Sequence, residues 1–448
     1  MGKHIDLLND KPHKLYFKYL VPSVSASLVT SIYILADTIM VGRGCGDMAL
    51  AALNLVLPIF SLLFAVGMLF GVGGGVLYSV ARGNKDDKRA ESIWSTSISL
   101  IALTALMILI LGGLFFEKLC YFLGADENSI KMVMDYARFV VFGAPIFLFS
   151  TFMQAFVRND KRPKLAMTAV MTGAVTNIVL DYIFIFDMNM GLTGGAAATL
   201  IGNIFSICIL VTHFTHKDNG LKFSFKSIKI SHTLEIIFSG APSFFVEAAT
   251  GLITLTFNHQ MLRYFKDLGV VAYGVVANYA LVMQSLFNGV GQSALPIMAT
   301  NFGASNMKRV RSIRKMGIIT VLIIASFAIL CAYTIPDYMT ALFVEPTNEL
   351  LKLSIPAVNI YFLAFWFLGI NLFSTTCLQS VVKPTPALVI MLLRGIFLPV
   401  LFAFLLPEIL QNGLGVFMAV PCSEFIVCIV SILLTQKFIG KNTLEKIS

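Results

Sequence analysis

Residues 165–186 read LAMTAVMTGAVTNIVLDYIFIF. As a helix the stretch is long enough to cross the hydrocarbon core of a bilayer, which takes about 20 apolar residues, yet its second half carries Asn177 and Asp181. Positions four apart share one helix face. A carboxylate at the centre of a membrane-spanning helix costs about 2.5–3.5 kcal/mol on insertion scales, so such a residue faces a bundle interior or a wet cavity. Two readings stand for the pair: a functional centre, or a carboxylate that only pins neighbouring helices together.

Segments of the same kind recur from end to end. Of the 448 residues 57% are hydrophobic and 13% charged, and the mean hydropathy is +0.83, which specifies an all-α polytopic membrane protein without a separate soluble domain. Twelve spans are expected, near 16–41, 51–80, 93–115, 131–155, 165–186, 193–215, 235–261, 271–300, 316–335, 354–378, 386–406 and 413–437. The N-terminal stretch MGKHIDLLNDKPHKLYFKYL lacks a signal-peptide cleavage pattern, so the first apolar segment is expected to remain as a span.

A net charge of +9 in a soluble protein would suggest nucleic acid, but here it has a topological account. With both termini in the cytoplasm, the inner loops hold 25 of the 33 basic residues, among them Lys3, Lys88, Arg89, Lys161, Lys226, Lys308, Lys441 and Lys446. Arg43, Lys118, Lys131, Arg138, Arg263, Lys266 and Lys352 fall outside, and Arg394 lies inside a span. This bias predicts a multi-pass protein of the cell membrane with no nucleic-acid partner. The seven cysteines form no Cys-x-x-Cys pair and mostly sit in or beside apolar segments, so they read as small core residues and not as a metal site or disulfide frame.

The chain repeats itself. An offset of 220 aligns Pro22 with Pro242, Gly71 with Gly291, Gly83 with Gly303 and Lys88-Arg89 with Lys308-Arg309. An offset of 225 aligns Tyr136 with Tyr361 and Gln154 with Gln379. Six spans is an even number, so both units enter the membrane in the same sense, related by a pseudo-two-fold axis along the membrane normal. The expected organisation is an N-terminal six-helix lobe over 1–215, a flexible cytoplasmic linker over 216–234 and a C-terminal six-helix lobe over 235–448.

In that arrangement Asp37 lies near the outer end of the first span and Asp181 in the outer half of the fifth. Thr199 falls about 9 Å below the start of the sixth, at 1.5 Å per residue. Two carboxylates, the Asn177 amide and the Thr199 hydroxyl thus meet at one level, with Asn203 a turn below. Oxygen ligands without sulfur or imidazole suit a hard cation. Two acidic groups in a dry pocket resist double ionisation unless a proton or cation joins them. For Thr199 and Asn203 ordinary helix–helix hydrogen bonding is an equal reading.

The second half carries Glu247, without an obvious mate and the candidate there for binding a cation or a cationic substrate, and Arg394 and Glu424, at depths that allow a buried structural pair or a role in transport. Helix 4 displays Phe149, Phe152, Met153 and Gln154, and helix 8 displays Asn278, Tyr279, Met283 and Gln284. Met and Phe offer adaptable contacts to flat amphipathic molecules, while simple packing against neighbouring helices is the other reading. The glycine run GVGGGV at 71–76 follows no strand and precedes no Gly-Lys-Ser/Thr, so close helix packing or a bend explains it better than a phosphate loop.

ADTIMVG at 36–42, Pro22 before it, TNIVLD at 176–181, GLTGGAAAT at 191–199 and SGAPSFFVEAA at 239–249 resemble the multidrug and toxic compound extrusion (MATE) family of antiporters. The resemblance covers nearly the whole chain. It implies a branch with a proton or sodium site in the N-terminal lobe, mapped onto Asp37, Asn177, Asp181 and Thr199, and it makes Pro22 the site of a bend in helix 1. It also matches Glu247 to a helix-7 glutamate of another branch whose site is in the C-terminal lobe, although Asn371 stands in helix 10 without an acidic neighbour there. The function it implies is export of amphipathic, often cationic aromatic compounds by alternating access, driven by H+ or Na+, with no cofactor or resident metal and no enzymatic activity. A monomer is expected. The competing reading is a flippase of lipid-linked oligosaccharide or a related lipid, which would favour basic residues in the central cavity to meet a pyrophosphate.

Overall fold

The computed structural model describes residues 5–127, 129–343 and 347–440. Lys3, Lys441 and Lys446 of the charge pattern lie outside them. Among the described residues the chain is helical apart from short turns and the 216–230 stretch, and has no strand. Span 1 is Pro12–Cys45, span 2 Asp47–Gly83 and span 3 Asp87–Leu114. Span 4 is two helices, Ile130–Phe142 and Ala144–Asn159, bent by 48°. Span 5 runs Pro163–Tyr182 and continues as the π turn Ile183–Asp187, and span 6 is Gly191–Val211.

Spans 7 and 8 form one hairpin, Ser231–Gly303, whose backbone leaves the helical region at Lys266 (φ 54°, ψ −145°). Span 9 is Met307–Thr334, span 10 Asn348–Phe362 with Ala364–Ser380, span 11 Pro384–Leu410 and span 12 Gly415–Ile439. Ten helices are long and apolar enough to cross a membrane and the bent span 4 makes eleven. One of the ten, Ile253–Gly303, contains the turn at Lys266. Counting its two arms separately gives the twelve crossings expected, in two six-helix lobes.

The repeat is visible in how helices begin and break. Asp86 accepts from the Arg89 N–H at 3.0 Å and Asn306 from the Arg309 N–H at 3.3 Å, so spans 3 and 9 start from equivalent side-chain caps, 220 residues apart. Spans 5 and 11 begin with Pro163 and Pro384, where a missing N–H costs nothing. The breaks in spans 4 and 10 fall at Gly143 and Leu363, again 220 apart. The offset of 225 is therefore corrected: it matches Tyr and Gln by type, whereas a helix break is fixed by where the backbone must turn.

On the face that carries the linker the two lobes touch. A Cβ on Gly73 would run into Ile236 O and come within 2.7 Å of Gly240 N, and a Cβ on Gly83 or Gly303 would meet Thr300 O or Val80 O. Gly73 and Gly83 of span 2 thus form a backbone-to-backbone seam with spans 7 and 8, since only glycine lets helices approach so closely, while Gly71, Gly74 and Gly75 of the same run pack on spans 3 and 4 within the lobe. Across the same seam Asn301 Nδ2 donates to Leu7 O (3.0 Å) and Arg309 Nη2 to Asp10 O (2.6 Å), which straps residues 5–10 over the junction.

The linker is docked, not flexible. Ser92 Oγ donates to Ser227 O (2.6 Å), the Ser224 and Lys229 N–H groups donate to Ser95 Oγ and Thr96 Oγ1 (3.1 Å each), and Ser227 Oγ donates to Glu91 Oε1 (2.6 Å). Its start is held at Asp160, which accepts from Gly220 N–H (2.8 Å) and Tyr78 Oη (2.7 Å) and lies 2.8 Å from His213 Nε2. Burial pushes the Asp160 carboxyl up, but hydrogen bonds from His213, Gly220 and Tyr78 outweigh it and hold the group below the usual carboxylate range. The physical reason for the difference is that four polar side chains, Glu91, Ser92, Ser95 and Thr96, open span 3 and give the linker backbone a ladder of partners.

Candidate functional site: a cation site beside a membrane cavity

Span 5 delivers Asn177 and Asp181, 2% and 0% exposed, on the face the four-residue spacing requires. Span 6 comes close because its start is made of small residues: a Cβ on Gly195 would lie 3.8 Å from Asp181 Oδ1 and 3.4 Å from Val41. One turn later Thr199 Oγ1 donates to Gly195 O (3.0 Å) and accepts from Asn177 Nδ2 (3.2 Å), while Asn203 Nδ2 donates to Thr199 O (3.0 Å). Span 1 closes the cluster with Asp37, whose carboxyl group lies within interaction range of that of Asp181.

Asp37, Asn177, Asp181 and Thr199 are therefore brought together, from three spans of one lobe. Among the described residues no N–H or O–H donor satisfies Asp37 Oδ1, either oxygen of Asp181 or Asn177 Oδ1, although all four atoms are shut away from solvent. Buried acceptors without donors are costly, of order 1–3 kcal/mol each and more for charged groups. Two facing carboxyl groups relieve that cost by sharing a proton or by holding a cation between them. Among the described residues no three His, Cys, Asp or Glu side chains gather to hold a metal. Two carboxyls with an amide and a hydroxyl form a hard-oxygen set, suited to Na+ or H+. Tyr33 and Tyr136, which the sequence does not single out for this site, also lie in electrostatic range of Asp37, and Tyr136 in range of Asp181 as well.

Asn177 and Thr199 also face a cavity of about 110 Å3 in the N-terminal lobe. Phe60, Phe64, Phe147, Thr151 and Gln154 form much of its remaining wall, and among the described residues no Lys or Arg lines it. Of the aromatic and Met candidates on helix 4, Phe152 is fully buried and stacks on Trp94 (5.7 Å, 23°), Met153 is core, and Phe149 packs against Phe152. Helix 4 turns Gln154 to the cavity; its rings are supplied by Phe147, by Phe60 and Phe64 of span 2 and by Tyr33 of span 1.

On helix 8, Asn278 Nδ2 donates to Gly274 O, Tyr279 Oη donates to Met339 O, Met283 is core and Gln284 is partly exposed. None of these four lines the N-terminal cavity. Glu247 lies in span 7 of the other lobe with no ion pair among the described residues. Arg394 and Glu424 meet at 2.8 Å and are 8% and 3% exposed, and Asn371 Nδ2 completes the group by donating to Glu424 Oε2 (2.7 Å). Pro22 sits within span 1, which runs through it as one helix although the proline withholds an N–H from the ladder.

The family model MatE matches residues 22–183 and again 242–405, one copy in each lobe. The chain belongs to the MatE family. It is a multi-pass membrane transporter of small molecules and not an enzyme. Among curated proteins this MATE transporter is similar to the multidrug export protein MepA of Staphylococcus saprophyticus, with 24% identity over 441 residues, 96% of this chain and 94% of that one. MepA of Staphylococcus aureus is 24% identical over 398 residues, 87% of this chain and 86% of that one.

Among solved structures the fold matches an outward-facing multidrug resistance MATE family transporter, with TM-score 0.90, 22% identity and 100% and 99% of the two chains covered. It matches a MOP superfamily transporter from Pyrococcus furiosus with TM-score 0.90, 21% identity and 98% of each chain. Both likenesses concern the MATE fold alone.

Proposed function

We propose that this chain is a multidrug efflux antiporter that exchanges amphipathic, often cationic aromatic compounds for H+ or Na+ by alternating access. The observation that carries the reading is the facing pair Asp37 and Asp181, with no donor to Asp37 Oδ1 or to either Asp181 oxygen among the described residues, one helical turn from Asn177, which lines the cavity and donates to Thr199 beside it. The relatives named multidrug export proteins support the substrate class. A flippase of lipid-linked sugars would call for basic groups facing its substrate, and among the described residues the wall of this cavity has none.

At about 110 Å3 the cavity is smaller than the 300–1,000 Å3 that drug-sized ligands occupy. Drug entry there therefore requires spans 1, 2, 4, 5 and 6 to part, and a cation drives such a change only if it binds the two states with different affinity. Filling the carboxyl pair removes its charge and lets span 1 repack, helped at Pro22 where the ladder already lacks a bond. Termini and linker share one face, read as cytoplasmic from the charge bias, and the protein works as a monomer.

Drug and cation should then compete in the N-terminal lobe. Drug affinity of the purified protein is expected to weaken as pH falls or as Na+ rises. The titration that moves it names the coupling ion, and affinity constant in both would end the antiport reading.

Glu247 adds a test of substrate charge. Glu247→Gln is expected to lower export of monovalent cationic dyes by about tenfold, while neutral and zwitterionic compounds change by less than about twofold. An equal loss for all three classes would place Glu247 in the coupling cycle or in folding instead.

A further inference from the structure

The docked linker has an outer face of unusual composition. Residues 222–230 read KFSFKSIKI. Phe225 and Ile230 are 81% and 88% exposed, and Phe223, 46% exposed, meets Phe225 edge-on at 4.8 Å. Between them Lys222, Lys226 and Lys229 are exposed and make no ion pair among the described residues. The nearby carboxylates are engaged elsewhere: Glu91 with Ser227, and Glu235 with Arg89. The segment has lysines alternating with large apolar side chains, held in place by its backbone.

Its level relative to the membrane is set by its partners. Span 3 has 28 residues, about 42 Å at 1.5 Å per residue, close to the about 40–45 Å of a bilayer with its headgroups. Ser92, Ser95 and Thr96 lie about 7–14 Å along it from Asp87. About 6 Å of the helix at each end lies outside a 30 Å hydrocarbon core. The hydrogen bonds thus hold the linker where headgroups give way to acyl chains. There a Phe or Ile side chain is buried in lipid and a lysine extends its ammonium to the phosphates.

We propose that residues 222–230 are a binding surface for anionic phospholipid of the leaflet on the linker side. Phe223, Phe225 and Ile230 insert at the boundary, and Lys222, Lys226 and Lys229 engage phosphate. Three such lysines near an anionic surface together produce a preference for anionic over zwitterionic lipid of about a hundredfold. Because the same segment is bonded to span 3, the lipid holds the N-terminal lobe and leaves the C-terminal lobe to rock against it. The orientation reading serves here only to name the leaflet; the surface is independent of the coupling ion and of the drug.

The test uses the full chain in vesicles of phosphatidylcholine with phosphatidylglycerol, bromine-labelled on the acyl chains of one lipid at a time. Phe225→Trp adds an emitter to a protein that otherwise has only Trp94 and Trp366, and wild-type quenching is subtracted. The added emission is expected to be quenched at least twofold more by brominated phosphatidylglycerol than by brominated phosphatidylcholine at equal fraction. Lys222→Gln, Lys226→Gln and Lys229→Gln together should abolish the difference, while arginine at the same three positions should retain it. Native mass spectrometry should show correspondingly fewer retained anionic lipids in the glutamine variant. No quenching by either lipid, equal quenching by both, or a preference that survives the glutamine variant would each overturn the proposal. Failure of drug–cation competition would leave it untouched.

Discussion

Replacing Asp181 with Asn is expected to yield a folded, membrane-inserted protein whose cation-driven efflux falls to background, a loss of more than about tenfold. Asp181 is fully buried and neither of its oxygens accepts a hydrogen bond among the described residues, so an amide of the same shape forfeits no contact. Its NH2 group gains one, by donating to the facing Asp37 carboxylate. The variant therefore resembles the site with its cation already in place. A site that no longer distinguishes loaded from empty has no differential affinity with which to shift the lobes. The measurement is dye efflux from vesicles under an imposed gradient, beside thermal stability with and without the ion. Wild-type efflux from Asp181→Asn, or ion-induced stabilisation that persists in it, would remove Asp181 from the coupling site. Asp37→Asn is the companion variant with the same expected direction.

The other large effect is on folding. Arg394→Ala strips Glu424 of its cation while leaving the carboxylate buried at 3% exposure beside Asn371. Breaking a buried pair on one side costs about 3–5 kcal/mol, against a total stability of about 5–15 kcal/mol for an ordinary domain. The amount of folded protein in the membrane should fall several-fold. Arg394→Met combined with Glu424→Leu should recover most of it, because two apolar groups leave no orphaned charge. If Arg394→Ala accumulates normally and yet does not transport, the pair belongs to the transport cycle and not to the scaffold. A double variant no better than the single one would equally exclude the structural account.

The sequence by itself determined the number of spans, their two-fold repetition, the sidedness of charge and the positions of polar groups within apolar stretches. Each of these is local: an apolar run is either long enough to cross or it is not, and an Asp inside one has no ordinary reason to be there. Asn177 and Asp181 are legible together because four residues on a helix fix a shared face. Thr199 and Asp37 are legible as a depth, counted at a constant rise per residue.

Only the tertiary structure decided which faces meet. In a soluble helix apolar periodicity separates inside from outside, but in lipid both sides of a span are apolar. Leu103 and Ile323 are 65% and 64% exposed, while Phe152 and Phe365 are fully buried. Nothing in the local sequence distinguishes them, so the sequence leaves Phe149, Phe152 and Met153 open between a cavity and packing, and only the structure buries Phe152 and Met153 and puts Tyr33, Phe60, Phe64 and Phe147 on the N-terminal cavity. Tyr33 and Tyr136 escape notice at the cation site for the same reason. The linker reads as flexible because its own residues are polar and basic. It is fixed by hydroxyl groups of span 3, more than 100 residues earlier in the chain. Side-chain type and spacing settle what a helix can carry, whereas its partners are settled by packing, and packing between spans leaves no periodic trace in a sequence that is apolar on every face.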